Sequence, residues 1–261
     1  MINLGYNNLN FLFLIINYMS GHSKWSTIKR KKGVTDAKRG AIFTKIGKLI
    51  TVAARNSDGD PNTNFSLRLA IDKAKAVNMP KENIERSIVK GMGTDKEGAQ
   101  IEEITYEAYA PGGIAMLIKT LTDNRNRTAS EIKHLLSQHG GSLGTPGSVV
   151  WQFKERGVIR ITKENFKNYS IEDIEMKSID LGAEDILIEE EGVTILTTKE
   201  KFAYIKSNIE KMSIIPDSLE IEQIATNTVN TNEKDQEKIK KLCAELDEHD
   251  DVDSYFHNGK F

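Results

Sequence analysis

Apolar residues recur at helical spacing over residues 41–55, where Ile42, Ile46, Leu49, Ile50 and Ala53 share one face and Lys45, Lys48 and Arg55 lie outside it. The breaker at 56–61, NSDGDP, separates this helix from a second one predicted over 64–77, with Leu67, Ala70, Ile71 and Ala74 inward. Pro80 opens a third, short helix through Ile84, Ile88 and Val89, which Gly91 and Gly93 stop. Residues 20–95 thus read as a small all-helical domain.

Near residue 101 the period shortens to two. Runs at 103–109 and 114–121 predict two strands, joined by the turn Ala110-Pro-Gly-Gly113. Thr128 and Glu131 fit a capping box ahead of a helix that carries Ile132, Leu135 and Leu136. A glycine-rich stretch at 140–147 ends that helix, and a strand is expected over 148–153. Beyond Gly157 the pattern predicts strand 158–162, helix 171–181, strands 185–188 and 193–197, helix 199–212 and strand 219–224. That order, β-α-β-β-α-β, is the ferredoxin-like split unit. A helix over 232–246 and a strand over 252–256 remain, the two elements that the β-β-α-β segment before Gly157 lacks. The expected fold class is therefore α+β in three domains: a helical domain at 19–98, a middle α+β domain at 99–155 plus 228–261, and a ferredoxin-like domain at 156–227 inserted into it.

Charge changes this picture more than composition does. The net charge is only −2, yet residues 19–56 hold ten Lys/Arg against one acid, and residues 170–261 hold ten against twenty-three acids. The chain has a basic head and an acidic tail. The stretch Met19–Gly40, MSGHSKWSTIKRKKGVTDAKRG, concentrates Lys24, Lys29, Arg30, Lys31, Lys32, Lys38 and Arg39, and its bulky apolar residues are Trp25, Ile28 and Val34. Such a segment is held by what it touches. Cations brought to phosphates release condensed counterions, which favours a nucleic acid as the partner, with Trp25 as a stacking face and Lys45, Lys48 and Arg55 extending the footprint. The competing reading is a solvated basic turn. Arg125 and Arg127 lie at the predicted start of a helix, where they suit a backbone phosphate or equally an ion pair with acids of a neighbouring domain.

Enzymatic chemistry finds no support in the motifs. Gly140-Gly-Ser142-Leu-Gly144 matches GxSxG, but a helix precedes it and a strand follows, the reverse of a nucleophile elbow. There is no GxxxxGK[ST], and Gly91, Gly93 and Gly98 lack the spacing and setting of a dinucleotide loop. Cys243 is the single cysteine, so an intrachain disulfide is impossible, and His22, His134, His139, His249 and His257 show no HExxH spacing. No catalytic residue, metal site or cofactor is expected. The acids at 189–191 and 250–253 read as solvated turns. The apolar run at 9–16 is too short to span a bilayer and lacks the features of a secretory signal, so residues 1–18 are expected to be a mis-assigned or disordered extension, with translation starting at Met19.

Several ordered motifs together carry a resemblance: Gly21-His-Ser-Lys-Trp25, Arg39-Gly-Ala-Ile-Phe-Thr-Lys45, Asn78-Met-Pro-Lys81, the run 106–113, Asp123-Asn-Arg-Asn-Arg-Thr128 and Gly144-Thr-Pro-Gly-Ser148. In these the chain resembles the YebC/PmpR family from Met19 to about Phe256. The resemblance implies a cytoplasmic protein with a helical domain followed by two α+β domains, acting as a non-enzymatic, DNA-binding transcriptional regulator. Ribosomal RNA and the ribosome are the alternative partners, as for relatives that activate translation, and a protein-interaction scaffold is a third reading. The absence of a helix-turn-helix or zinc-finger signature points to phosphate contact more than base readout.

Overall fold

The structure is a computed structural model. It describes Trp25 and residues 36–55, 59–93, 100–166 and 168–260, with side chains of the first helix from Arg39 onward. Three helices form the amino-terminal domain: α1 (Asp36–Arg55), α2 (Phe65–Ala76) and α3 (Lys81–Gly91). Helix α1 begins at Asp36, five residues before the expected start at residue 41. Asn64 caps α2, its side chain accepting from the Leu67 N–H and donating to the carbonyl of Ala53 at the end of α1 (2.7 Å). The core joins Ile50, Ala53 and Ala54 of α1 to Leu67, Ala70, Ile71 and Ala74 of α2 and Ile84 of α3. Helices α1 and α3 approach closely because the residues between them are small. A Cβ on Gly91 would lie 2.4 Å from the Thr51 carbonyl oxygen and 2.8 Å from the Ala54 Cβ. Of the apolar residues along α3, Ile84 is buried and Val89 is 50 % exposed.

The middle domain opens with the hairpin β1 (Glu102–Ala110) and β2 (Ile114–Thr122), turned by a 3₁₀ segment in which Gly112 and Gly113 both take positive φ. Helix α4 (Arg125–Gln138) and the short edge strand β3 (Ser142–Leu143) follow. The predicted strand over 148–153 is instead a 3₁₀ turn at Val150–Gln152 leading into one long strand, β4 (Phe153–Thr162). Helix α4 also starts earlier than its expected capping box. Asn124 is the N-cap, accepting from the Arg127 N–H, so Thr128 lies inside the helix.

From β4 the chain builds α5 (Ile171–Asp180), β5 (Asp185–Ile188), β6 (Gly192–Thr197), α6 (Lys199–Lys211) and β7 (Ser218–Ala225). A small ribbon strand β8 (Val229–Asn230) precedes α7 (Glu233–Glu248), β9 (Val252–His257) and β10 (Gly259–Lys260), and β8 pairs parallel with β10. One antiparallel sheet has the order β3-β1-β2-β9 and the other β5-β6-β4-β7, so β9, from the end of the chain, pairs with β2 across the intervening third domain. The fold is α+β.

In each of the two α+β domains two helices cover one sheet face, and alternate residues of each strand decide which face is covered. Ala108, Ile114, Met116 and Ile118 meet Ile132 and Leu136 of α4 and Ile239, Leu242 and Leu246 of α7. Ile159, Ile161, Val193 and Ile195 meet Ile174 of α5 and Phe202, Ile205 and Ile209 of α6. The other face of the middle sheet, Ala115, Leu117 and Phe256, closes on Val149, Phe153 and Ala225. The helical domain joins the third domain's core through Leu69, with Phe65 edge-on to Phe202 at 5.5 Å between ring centroids.

Candidate nucleic-acid interface

Helix α7 sets the electrostatics of the region where the basic helix meets the middle domain. Its last turn holds Glu245, Asp247 and Glu248 and no cation, so carboxylates add to the negative end of the helix dipole. Its amphipathic face packs on the sheet and cannot supply the missing positive charge. Helix α1 supplies it from another domain. The Lys45 ammonium donates to the carbonyl of Asp247 (2.7 Å), and Lys48 donates to the carbonyl of Asp250 (3.3 Å) and to the carboxylate of Asp251 (2.7 Å). Burial depresses the Lys45 pKa, an effect that the charges of Asp247, Asp250, Asp253 and Glu248 oppose.

Asp251 is the centre of this junction. Its side chain is 4 % exposed and accepts three hydrogen bonds of 2.7 Å, from Lys48, from Arg127 and from the Thr128 hydroxyl. Burial by itself would raise the Asp251 pKa, but the donors Lys48, Arg127 and Thr128 outweigh it and hold the carboxyl well below the usual range. The Asp251 carbonyl also accepts from the Leu121 N–H (2.8 Å), which fixes the turn to strand β2. An open cleft of about 810 Å³ lies beside it, whose charged lining is Lys48 and Arg127 against Asp123, Glu131, Glu248, Asp250 and Asp251. Two cations against five acids do not make a phosphate slot.

The sequence-predicted cations therefore divide. Lys45 and Lys48 are tied to the acidic turn, and Arg55 donates to the carbonyl of Ile101 at the entry to the middle domain (2.7 Å). Arg127 lies in the first turn of α4, paired with Asp251 at 2.7 Å and with Asp123 at 3.1 Å, so of its two expected roles it takes the ion pair, within its own domain. Arg125, beside it, is exposed, as is Arg39 at the start of α1. Trp25 is 1 % exposed, its indole N–H donating to Glu189 (2.7 Å), which also accepts from the Thr194 hydroxyl (2.6 Å). So buried, Trp25 offers no exposed face for stacking. Lys24, Lys29, Arg30, Lys31 and Lys32 lie outside the described residues, as does the side chain of Lys38.

Two acids read as solvent-facing thus have structural partners, Glu189 and Asp251. The signal for Asp251 was present in the sequence: a long helix whose last turn is acidic and carries no cation needs one from elsewhere. A third acid escaped notice altogether. Glu107 accepts from the backbone N–H groups of Gly147, Val149 (2.6 Å) and Val150 (2.8 Å). Burial works against its ionisation, but these N–H groups prevail and lower its pKa. The loop it organises presents Trp151, 68 % exposed, whose indole N–H and the Tyr109 hydroxyl both donate to the Ser148 carbonyl. Ser142 follows a helix and lies in edge strand β3, outside any strand-to-helix elbow.

Among the described residues no group of three or more His, Cys, Asp or Glu is placed to hold a metal ion, and no helix is long and apolar enough to cross a membrane. Comparison with known proteins agrees with the domain order. Residues 23–94 match the TACO1/YebC protein N-terminal domain, and residues 101–259 match the TACO1/YebC second and third domain. A probable transcriptional regulatory protein of Thermoanaerobacter pseudethanolicus is 47 % identical over 240 residues, covering 92 % of this chain and 96 % of its own. One of Syntrophomonas wolfei is 48 % identical over 242 residues, with 92 % and 96 % covered. The crystal structure of a conserved hypothetical protein from Aquifex aeolicus superposes with a TM-score of 0.79 at 42 % identity, over 86 % of this chain and 91 % of that one. Matches that run through all three domains, in sequence and in fold, leave one assignment: the chain belongs to the TACO1/YebC family.

Proposed function

We propose that this protein is a non-enzymatic, cytoplasmic regulator that binds DNA through the phosphate backbone, using the basic stretch around Lys24, Lys29, Arg30, Lys31, Lys32 and Lys38 together with Arg39. The observation that carries the reading is the charge polarity of a chain whose relatives, matched over 92 % of its length, are named probable transcriptional regulatory proteins. Arg125, exposed at the start of α4, is a further contact in this reading, whereas Lys45, Lys48, Arg55 and Arg127 serve the domain junction in the conformation described. The domain limits of the proposal are 19–98, 99–155 plus 228–261, and 156–227. Replacing Lys29, Arg30, Lys31 and Lys32 with Ala is expected to weaken binding to duplex DNA and to reduce its logarithmic salt slope by about three to four. Unchanged affinity and slope would refute this footprint.

A second reading has its own observation. Trp151 presents aromatic surface on a loop with no Asp, Glu, Lys or Arg between His139 and Phe153, next to Tyr109 of strand β1, a surface that suits an unpaired base better than a regular duplex. A ribosome-associated factor contacting ribosomal RNA would use it. Co-sedimentation with ribosomes at physiological salt, lost in Trp151→Ala, supports that reading, and protection of a defined promoter without co-sedimentation supports the first.

A further inference from the structure

The cations of α1 would be exposed to phosphates if the acidic turn were not in the way. Lys45 and Lys48 project from a helix whose amino end continues the basic stretch, and their partners are all on the segment 247–251. Asp251 is held to the middle domain independently of them, by Arg127, by Thr128 and by its carbonyl bond to Leu121. The turn is therefore a preformed anion, fixed before the helical domain arrives. The apolar core of the helical domain contains no residue of the middle domain among those described, and its hydrophobic attachment runs instead to the third domain through Phe65 and Leu69. The bonds that Lys45, Lys48 and Arg55 make to the middle domain are polar, and polar contacts between charges weaken with salt and competing anions.

We propose that segment 247–251 is an autoinhibitory clasp: it occupies Lys45 and Lys48 as an internal substitute for nucleic-acid phosphate, and a polyanion gains these two cations only when the helical domain swings away from the middle domain about its Phe65 and Leu69 contacts. This rests on the nucleic-acid reading above. The free protein is mostly closed, and apparent affinity is reduced by the fraction that is open. Phosphate binding and clasp closure exclude each other at Lys45 and Lys48. Arg127 stays with Asp251 in both, since the two belong to one domain.

The test uses the full chain and a labelled DNA duplex of about 20 base pairs, long enough to span several phosphate contacts. Asp251→Asn removes the anion without removing a cation. It is expected to tighten binding at least about fivefold and to steepen the logarithmic salt slope by about two, one for each released lysine. Because Asp251→Asn also loosens the middle domain, a second protein carries Lys48→Cys and Asp251→Cys in a Cys243→Ser background, joined by a short bifunctional maleimide, since a Lys–Asp contact separates backbones by more than a disulfide spans. Cross-linking is expected to weaken binding and flatten the slope relative to the same protein before cross-linking. If both changes leave affinity and slope as they were while the wild type still binds with a salt slope, the clasp is overturned and the DNA reading stands. If no form binds at low salt, the DNA reading falls and takes the clasp with it.

Discussion

Removal of the Asp251 carboxylate is the sharpest test of how the domains are joined. Asp251→Ala takes away one acceptor of the Thr128 hydroxyl, which keeps the Thr122 hydroxyl and the Asn124 carbonyl, and leaves Lys48, whose side chain is 20 % exposed, without its counter-charge. Removing one partner of a buried ion pair costs about 3–5 kcal/mol, mostly because the other is left uncompensated. Arg127 is 45 % exposed, so water screens that arm and it contributes little. The lower end of the range, about 3 kcal/mol, is the expected loss, which for cooperative unfolding of the two α+β domains is about 6–12 °C in Tm. The sign of the pH dependence follows from the depressed folded pKa. Its contribution is complete above the unfolded value of about 3.9 and is lost as pH falls through the lower folded one. Thermal melts of wild type and Asp251→Ala should therefore lie far apart at pH 7 and converge below about pH 4. Equal melting temperatures at pH 7, or a gap that persists unchanged into acid, would show that Asp251 does not hold the junction.

Gly91→Ala should destabilise the helical domain by about 1–3 kcal/mol, because its methyl group would be driven against the Thr51 carbonyl and the Ala54 Cβ; urea unfolding followed by circular dichroism measures it, and a neutral result would mean the helices can part at that crossing. Arg160, fully buried, forms two hydrogen bonds to Glu222 at 2.6 and 3.1 Å, so Arg160→Met should cost about 3–5 kcal/mol, and Arg160→Met with Glu222→Leu should recover much of it; a double variant no better than the single would show that the pair is not what the Met disrupts.

The periodicities placed the helices and most strands because each element buries one face, and burial leaves a repeat of about 3.6 or 2 in the sequence. The misplacements have local causes. Thr128 with Glu131 imitates a capping box, but Asn124 stands four residues earlier with a side chain that caps as well. The stretch 148–153 has strand composition, yet the Glu107 carboxylate gathers its N–H groups into a turn, and Glu107 lies about forty residues away along the chain. Leu69 escaped the expected inward face of α2 because its partner is the third domain, not its own helical bundle.

Charge followed the same division. By itself the sequence determined that cations gather near the amino end and acids toward the carboxyl end, since net charge per segment needs no coordinates. It determined the element order too, and from that the α+β class and the return of the chain's end to the middle domain. Only the tertiary structure decided which cations face solvent and which face a carboxylate. Lys45 and Lys48 have the same composition and helical phase as surface lysines, and what makes them junction residues is the end of a helix some two hundred residues later in the chain, placed beside them by the packing of α7 on its sheet. Trp25 differs in the same way: amid lysines it reads as a stacking face, and a single bond from its indole to Glu189 of the third domain turns it inward. Such pairings join positions far apart in sequence, and local pattern does not record them.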